Sequence, residues 1–314
     1  MRARLMLLLS VLAVAAPGAL PRVARGQDDT PINLGAELVV LDVSVADRAG
    51  RQILTLPKER FEVLEDGVRQ DVEVFERGEA PASIVLVLDA SGSMRTKIKN
   101  VAEAAARVLE GARPGDEFAV VEFREDANVV EEFTSDPAAI RDALAGLEPA
   151  GQTAMIDAAY VAADYAQRAG RNRIKSVVLV TDGLDKNSFY TPENLSDHFR
   201  RLDVRFYAVG FTADLDTERG LFQKSEKAKS EQLLTRLARE TGGRSFFPAT
   251  LGELNAINDA IASDLRTVYS IGYYPKNPKK DGSFRSVSVR VLDAGGREAP
   301  GLSVRTRSGY VAGK

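Results

Sequence analysis

The chain of 314 residues predicts an α/β fold, a doubly wound and mostly parallel sheet inserted in a small β-domain built from the N- and C-terminal flanks. Three observations lead there. At roughly 100–200 residues per domain, the length favours two domains, or one large domain with a small partner. The middle of the chain alternates short, continuous apolar runs with segments of helical spacing, whereas both ends alternate apolar and polar residues with period two. Hydrophobic residues make up 44% and charged residues 28% of the chain, an ordinary globular composition with enough apolar material for a core.

The first 26 residues read as a secretory signal peptide. Arg2 and Arg4 form a basic start, Leu5 to Ala16 is an apolar run interrupted only by Ser10, and Ala24-Arg25-Gly26 offers small residues for cleavage before Gln27. A spanning helix needs about 20 apolar residues, and Pro17-Gly18 stops this run early. With no Cys there is no lipid-modified N-terminal cysteine, so no stable membrane anchor is expected after cleavage, and the product should be periplasmic or extracellular. Removing residues 1–26 takes away four Arg and no acid, moving the net charge from -3 to -7. That balance argues against nucleic acid as a partner.

Residues 27–81 form the N-terminal flank. Val39, Leu41, Val43 and Val45 alternate with outward positions, and Phe61, Val63 and then Val72, Val74 flank an expected turn at Glu65-Asp66-Gly67. Residues 82–268 form the α/β domain. Its strands are Ile84 to Leu88, Phe118 to Phe123, Val177 to Val180 and Phe206 to Val209, with Arg244 to Phe247 last and Val129 to Phe133 as an antiparallel edge. Helical spacing appears at Ile98, Val101, Ala105, Leu109, at Ile156, Ala159, Ala163, at Leu234, Leu237, and at Leu254, Ile257, Ile261, Leu265. Residues 269–314 form the C-terminal flank, where Val287, Val289 and Val291 alternate with polar positions and Asp281-Gly282 is an expected hairpin turn after Tyr269 to Tyr274. Each flank has too few strands to bury a face alone, so the two are expected to share one domain; separate hairpins packed on the α/β core are the alternative.

Composition also limits the chemistry. With no Cys and one His, His198, thiol nucleophiles, Cys-ligated zinc, iron–sulfur clusters and disulfides are excluded. A Ser-His-Asp apparatus would need His198, which sits on an expected surface helix rather than in a cleft. The informative residues are Asp89-Ala90-Ser91-Gly92-Ser93, where a buried strand runs out and a helix begins. Spacing of two brings Asp89, Ser91 and Ser93 within reach of one point above the strand end, the place where open parallel sheets bind ligands. A set of hydroxyls and carboxylate is hard and oxygen-only, and it favours Mg²⁺ or Mn²⁺ over zinc or copper. Asp182, in Thr181-Asp182-Gly183, ends a second buried strand at the same edge, and Gly151-Gln152-Thr153 offers the Thr153 hydroxyl from a loop. Asp185 is expected to be a solvated loop carboxylate rather than a further ligand, Tyr273-Tyr274 packing rather than a sugar platform, and Glu218 to Lys229 a solvated loop and helix start.

Together Asp89, Ser91, Ser93, Thr153 and Asp182 resemble the metal-ion-dependent adhesion site of von Willebrand factor type A (VWA) domains. Phe61 to Gln70, Tyr269 to Pro275, Gly282 to Arg285 and Arg307 to Tyr310 extend the resemblance to the acidobacterial-type VWFA-related proteins over nearly the whole mature chain. The resemblance implies a binding protein, not an enzyme, in which a partner's Asp or Glu carboxylate displaces a water from the ion. It also suggests that the last helix of the domain moves with the metal coordination. The alternatives are a Mg²⁺-dependent phosphoryl hydrolase using Asp89 as nucleophile, for which no P-loop or basic clamp is visible, and a structural module. Specificity is expected in the loops Leu184 to Pro192 and Phe211 to Lys229. The sequence does not name the protein partner or the oligomeric state.

Overall fold

The computed structural model describes residues 37–109, 112–183, 185–212 and 226–313. The expected signal peptide lies outside the described residues, as do Leu184 and positions 213–225 of the two expected specificity loops. Four strands open the described chain: β1 (Val39–Ala46), β2 (Phe61–Glu65), β3 (Val68–Gln70) and β4 (Val72–Glu79). The α/β region runs β5 (Ala82–Asp89), α1 (Ile98–Val108), β6 (Glu117–Phe123), β7 (Ala127–Thr134), α2 (Pro137–Ala145), α3 (Met155–Ala169), β8 (Ile174–Thr181), α4 (Pro192–Arg200), β9 (Arg205–Gly210), α5 (Glu226–Thr241), β10 (Ser245–Phe246) and α6 (Leu254–Arg266). The chain closes with β11 (Thr267–Tyr273), β12 (Phe284–Val291), β13 (Ser303–Arg305) and β14 (Gly309–Val311).

The central sheet has six strands in the order β10-β9-β8-β5-β6-β7, parallel except for β7, which is antiparallel at the edge. Every residue of β5 is buried because its two faces meet different layers. Ile84, Leu86 and Leu88 pack with Ile98 of α1, Ile140 of α2 and Ile261 of α6. Val85 and Val87 pack with Ala159 of α3, Leu195 of α4 and Leu234 of α5. A strand buried on both sides must be apolar at consecutive positions, which is why the sequence shows a run there instead of alternation.

The flanks share one sandwich, with sheets ordered β13-β1-β11-β4 and β14-β12-β2-β3. Leu41, Val43, Phe61, Val63, Tyr269, Ile271, Val287 and Val289 meet in its core, so residues from the two ends of the chain fill one interior. Two expected turns are corrected. The turn of the β2–β3 hairpin is Asp66-Gly67, both at positive φ, whereas Glu65 belongs to β2 and is buried. Val72 and Val74 pair with β11 in the other sheet, because β3 and β12 already occupy both edges of β2. Likewise Asp281-Gly282 does not close a hairpin between β11 and β12: β11 is flanked by β1 and β4, so β12 crosses to the opposite sheet. Inside the core, Glu65 accepts hydrogen bonds from the hydroxyls of Tyr273 (2.8 Å) and Tyr310 (2.9 Å). Burial, reinforced by that carboxylate, holds both phenols protonated far above their ordinary range. Tyr273 is therefore packing, as expected, whereas Tyr274 is 51% exposed and departs from that expectation.

No residue separates α6 from β11. Around this joint, Asp264 is 1% exposed and accepts from Arg305 (2.8 Å), Arg244 (3.4 Å) and Gln52. Asp42 of β1 pairs with Arg173 at 2.5 Å and Arg205 at 3.6 Å. Both clusters draw residues from the sandwich and the α/β region. Among the described residues, no helix is long and apolar enough to cross a membrane.

Candidate functional site

The parallel register aligns the ends of β5 and β8. Leu88 pairs with Val180, so Asp89 and Thr181 stand side by side, and the Thr181 hydroxyl donates to Asp89 Oδ2 at 2.7 Å. The other carboxylate oxygen, Oδ1, accepts from the Ser91 amide at 2.9 Å. The backbone then leaves the sheet. Ala90 N donates to Phe123 O (2.9 Å), its carbonyl accepts from Ala150 N (2.9 Å), and Gly92 N donates to Gly151 O (3.2 Å). These bonds tie the loop carrying Ser91 and Ser93 to the loop carrying Thr153. A third tie, Lys186 N to Thr153 O at 3.0 Å, brings in the loop that follows Asp182.

Asp89, Ser91, Thr153 and Asp182 are 0%, 1%, 3% and 4% exposed, while Ser93 opens to solvent. The Ser91 and Ser93 hydroxyls lie 3.0 Å apart. The Asp89 carboxyl is pushed up to about 6 by burial, and the neighbouring charge of Asp182 adds to the effect; hydrogen bonds from Ser91 and Thr181 pull it part of the way back. The structure thus gathers two buried carboxylates and several hydroxyls at one strand edge. Among the described residues, no three His, Cys, Asp or Glu side chains gather as a metal cage, so any cation here would depend on hydroxyl donors as well.

Several supporting residues escaped the sequence reading. Thr181 is one, since a Thr ending a strand carries no special signal. Glu125 is another: its side chain accepts from Gln152 N at 2.9 Å, and this contact holds its carboxyl below the usual range. Gly151 has φ +72°, a backbone conformation that favours glycine, and a Cβ there would meet Glu125 Oε2 at 2.5 Å and push that side chain off its contact with Gln152 N. Asp185 departs from expectation. It is half-buried and accepts from Ile156 N at 3.2 Å and from the Ser188 hydroxyl at 2.5 Å, capping the start of α3 rather than standing in water. Within α3, Asp157 accepts from Phe189 N (2.8 Å) and Tyr190 N (2.9 Å), fixing a loop from which Phe189 projects with 86% exposure. His198 stacks on Tyr160, with ring centroids 3.7 Å apart.

The sequence profile of the von Willebrand factor type A domain matches residues 84–184, the segment from β5 past Asp182. Inter-alpha-trypsin inhibitor heavy chain H4 of Bos taurus is 25% identical over 178 residues, which span 52% of this chain and 18% of the relative. This chain thus spans under a fifth of the curated relative it matches. Among solved structures, a von Willebrand factor type A protein from Catenulispora acidiphila aligns over 77% of this chain and 74% of its own, with 18% identity and TM-score 0.47. BatB from Bacteroides thetaiotaomicron aligns over 58% of this chain and 98% of its own, with 15% identity and TM-score 0.46.

Proposed function

Because this chain belongs to the von Willebrand factor type A domain proteins, we propose that it is an exported binding module, not an enzyme, which holds one Mg²⁺ or Mn²⁺ ion and captures a protein partner through the partner's Asp or Glu. Asp89, Ser91, Ser93, Thr153 and Asp182 would be the donors. The ion would supply a Lewis-acidic attachment point for the partner's carboxylate. The carrying observation is Asp89 itself, fully buried beside Asp182, with hydroxyl and amide donors as its hydrogen-bond partners. A buried carboxylate pair is costly unless a cation compensates it, and the hard oxygen set fits Mg²⁺. Neutral hydroxyl donors leave the ion enough positive charge to attract an external anion. An exposed aromatic, Phe189, on the rigidly held loop beside α3 supports a protein as the partner, since aromatic side chains dominate such contacts.

The hydrolase alternative finds less support. Phosphoryl transfer needs a cationic clamp beside the carboxylate, and Arg95 lines the groove between α1 and α2 with Lys99 and Arg141. Titration calorimetry tests the proposal: Mg²⁺ should bind at one site in the wild type and be lost in Asp89→Ala and Asp182→Ala, with circular dichroism unchanged. Equal affinity in both variants would refute the site. Capture of a partner from an envelope fraction in Mg²⁺ and its release in EDTA would test the recognition step, and phosphomonoester turnover abolished by Asp89→Ala would favour the enzyme instead. Export, with cleavage before Gln27, is checked by N-terminal sequencing of the protein recovered outside the cytoplasm.

A further inference from the structure

A second site lies away from the carboxylate edge. Between the end of α5 and strands β12 and β13 of the sandwich there is a cleft of about 420 Å³. Its walls carry three guanidinium groups, Arg239, Arg244 and Arg305, and no Asp or Glu. Gly243 borders it and packs against the backbone of Phe206, near the start of β9, whereas Gly210, at the other end of that strand, is level with Thr181. The cleft therefore opens well below the edge where Asp89 and Asp182 sit.

The charges there are not balanced within the described structure. Arg244 and Arg305 share one carboxylate, Asp264, and Arg239 has no ion pair or hydrogen bond among the described residues. Arg244 is steadied by stacking over Phe246, its guanidinium carbon 4.6 Å from the ring centroid. The C-terminal carbonyls of α5, which would repel an anion, are already used. Ala238 O accepts from Gly243 N and Glu240 O from Ser308 N, both at 2.8 Å, and Leu237 O from the Thr241 hydroxyl at 2.9 Å. Hydroxyls complete the lining, with Ser288 and Ser308 on the wall and the Thr306 oxygen buried without a hydrogen-bond partner. A buried polar atom left unmatched beside surplus guanidinium groups calls for a ligand with several oxygen acceptors.

We propose that this cleft binds an oxyanion, a phosphate or sulfate group, either free or borne on a small polyol such as a sugar. Arg239 approaches from the α/β region and Arg305 from the sandwich, so a bound oxyanion bridges the two. Forked N–H donors match such oxygens in pairs, and the hydroxyls extend the match to a polyol.

The test is titration calorimetry on the full chain in EDTA, which silences any divalent-ion site, with inorganic phosphate, inorganic sulfate, glucose and glucose 6-phosphate as probes. Saturable binding of the anions but not of glucose is expected. Affinity should fall about tenfold or more in Arg239→Gln, as for loss of one charge-assisted contact, and stay unchanged in Asp89→Asn. Arg239 is exposed on the helix surface, so the substitution does not threaten the fold. Tighter binding of glucose 6-phosphate than of phosphate would identify the sugar-borne group, and equal binding the free ion. Absence of saturable binding by any anion, or equal affinity in Arg239→Gln, would overturn the proposal without bearing on the metal site.

Discussion

Replacing Asp89 by Asn should make the metal-free protein more stable while removing its response to Mg²⁺. Burial, with help from the Asp182 charge, raises the Asp89 carboxyl from its ordinary 3.8 to about 6. Between those values the native state holds a proton that the unfolded chain has released. Stability falls with rising pH wherever the native state binds more protons, so the metal-free wild type weakens from about pH 4 to about pH 6 and stays at the lower level above. At about 1.36 kcal/mol per pH unit, that rise is worth about 3 kcal/mol. In Asp89→Asn the side-chain oxygen still accepts from Ser91 N. The amide, however, now faces the Thr181 hydroxyl, which already accepts from Gly183 N and loses the acceptor for its own O–H, at a cost of about 1 kcal/mol. The expected gain is about 2 kcal/mol at pH 7.5. Urea unfolding in EDTA at pH 4 and pH 7.5 measures it: the advantage should be present at the higher pH and gone at the lower one. With Mg²⁺ in place of EDTA, the wild type should gain stability and Asp89→Asn should not. A variant less stable than the wild type in EDTA at pH 7.5, or an advantage independent of pH, would refute the reasoning.

Gly183→Ala places a side chain at φ +87°, with Cβ 2.6 Å from Ser230 Oγ and 2.8 Å from Thr212 Cγ2; it should cost about 2 kcal/mol or more and weaken Mg²⁺ affinity, read by thermal unfolding and calorimetry. Asp264→Ala leaves Arg244, Arg305 and Gln52 around an empty place and should lower unfolding stability by about 3 kcal/mol in urea. Tyr273→Phe removes one of the two hydroxyls on buried Glu65 and should cost about 1–2 kcal/mol by the same assay, with the remaining hydroxyl, that of Tyr310, still engaged.

How much of this was legible follows from which residues report on themselves. Ile84 to Leu88 announced a strand buried on both faces, because such burial demands apolar side chains at every position. Asp89, Ser91 and Ser93 were legible through their spacing, which the short turn Gly92–Met94 converts into proximity. Alternation in the flanks revealed strands with one wet face, yet period two says nothing about which strand is the neighbour. That is why Val72 was expected across a turn from Phe61 although it pairs with β11, and why Tyr269 and Phe284 fell into different sheets. Glu65 looked like a turn residue because it is charged and precedes Asp66-Gly67. Its burial is made tolerable by Tyr273 and Tyr310, partners so distant in the chain that no local pattern marks them. Asp185 failed for a related reason: a loop carboxylate that caps a helix from another segment looks the same in sequence as one left in water.

The joint between α6 and β11 limits how the site at the carboxylate edge can communicate with the sandwich. β11 is an internal strand, in register with β1 from Tyr269 to Tyr273 and with β4 from Thr267 onward, so sliding it would break ladders on both sides at once. Asp264, near the end of α6, is held by Arg305 from β13, Arg244 and Gln52, and moving it would leave a buried carboxylate uncompensated. The C-terminal end of α6 is therefore its fixed point. A piston-like shift of the whole helix is disfavoured, and any ligand-linked motion must pivot there, with its largest amplitude at Leu254 and the preceding turn Leu251–Glu253. The arginine cleft borders the same fixed point through Arg244 and Arg305, so an oxyanion bound there would compete with Asp264 for two of its partners and loosen the pivot. The two ends of the helix would then be coupled through differential affinity for the held and released forms, with the sign set by which form the oxyanion prefers.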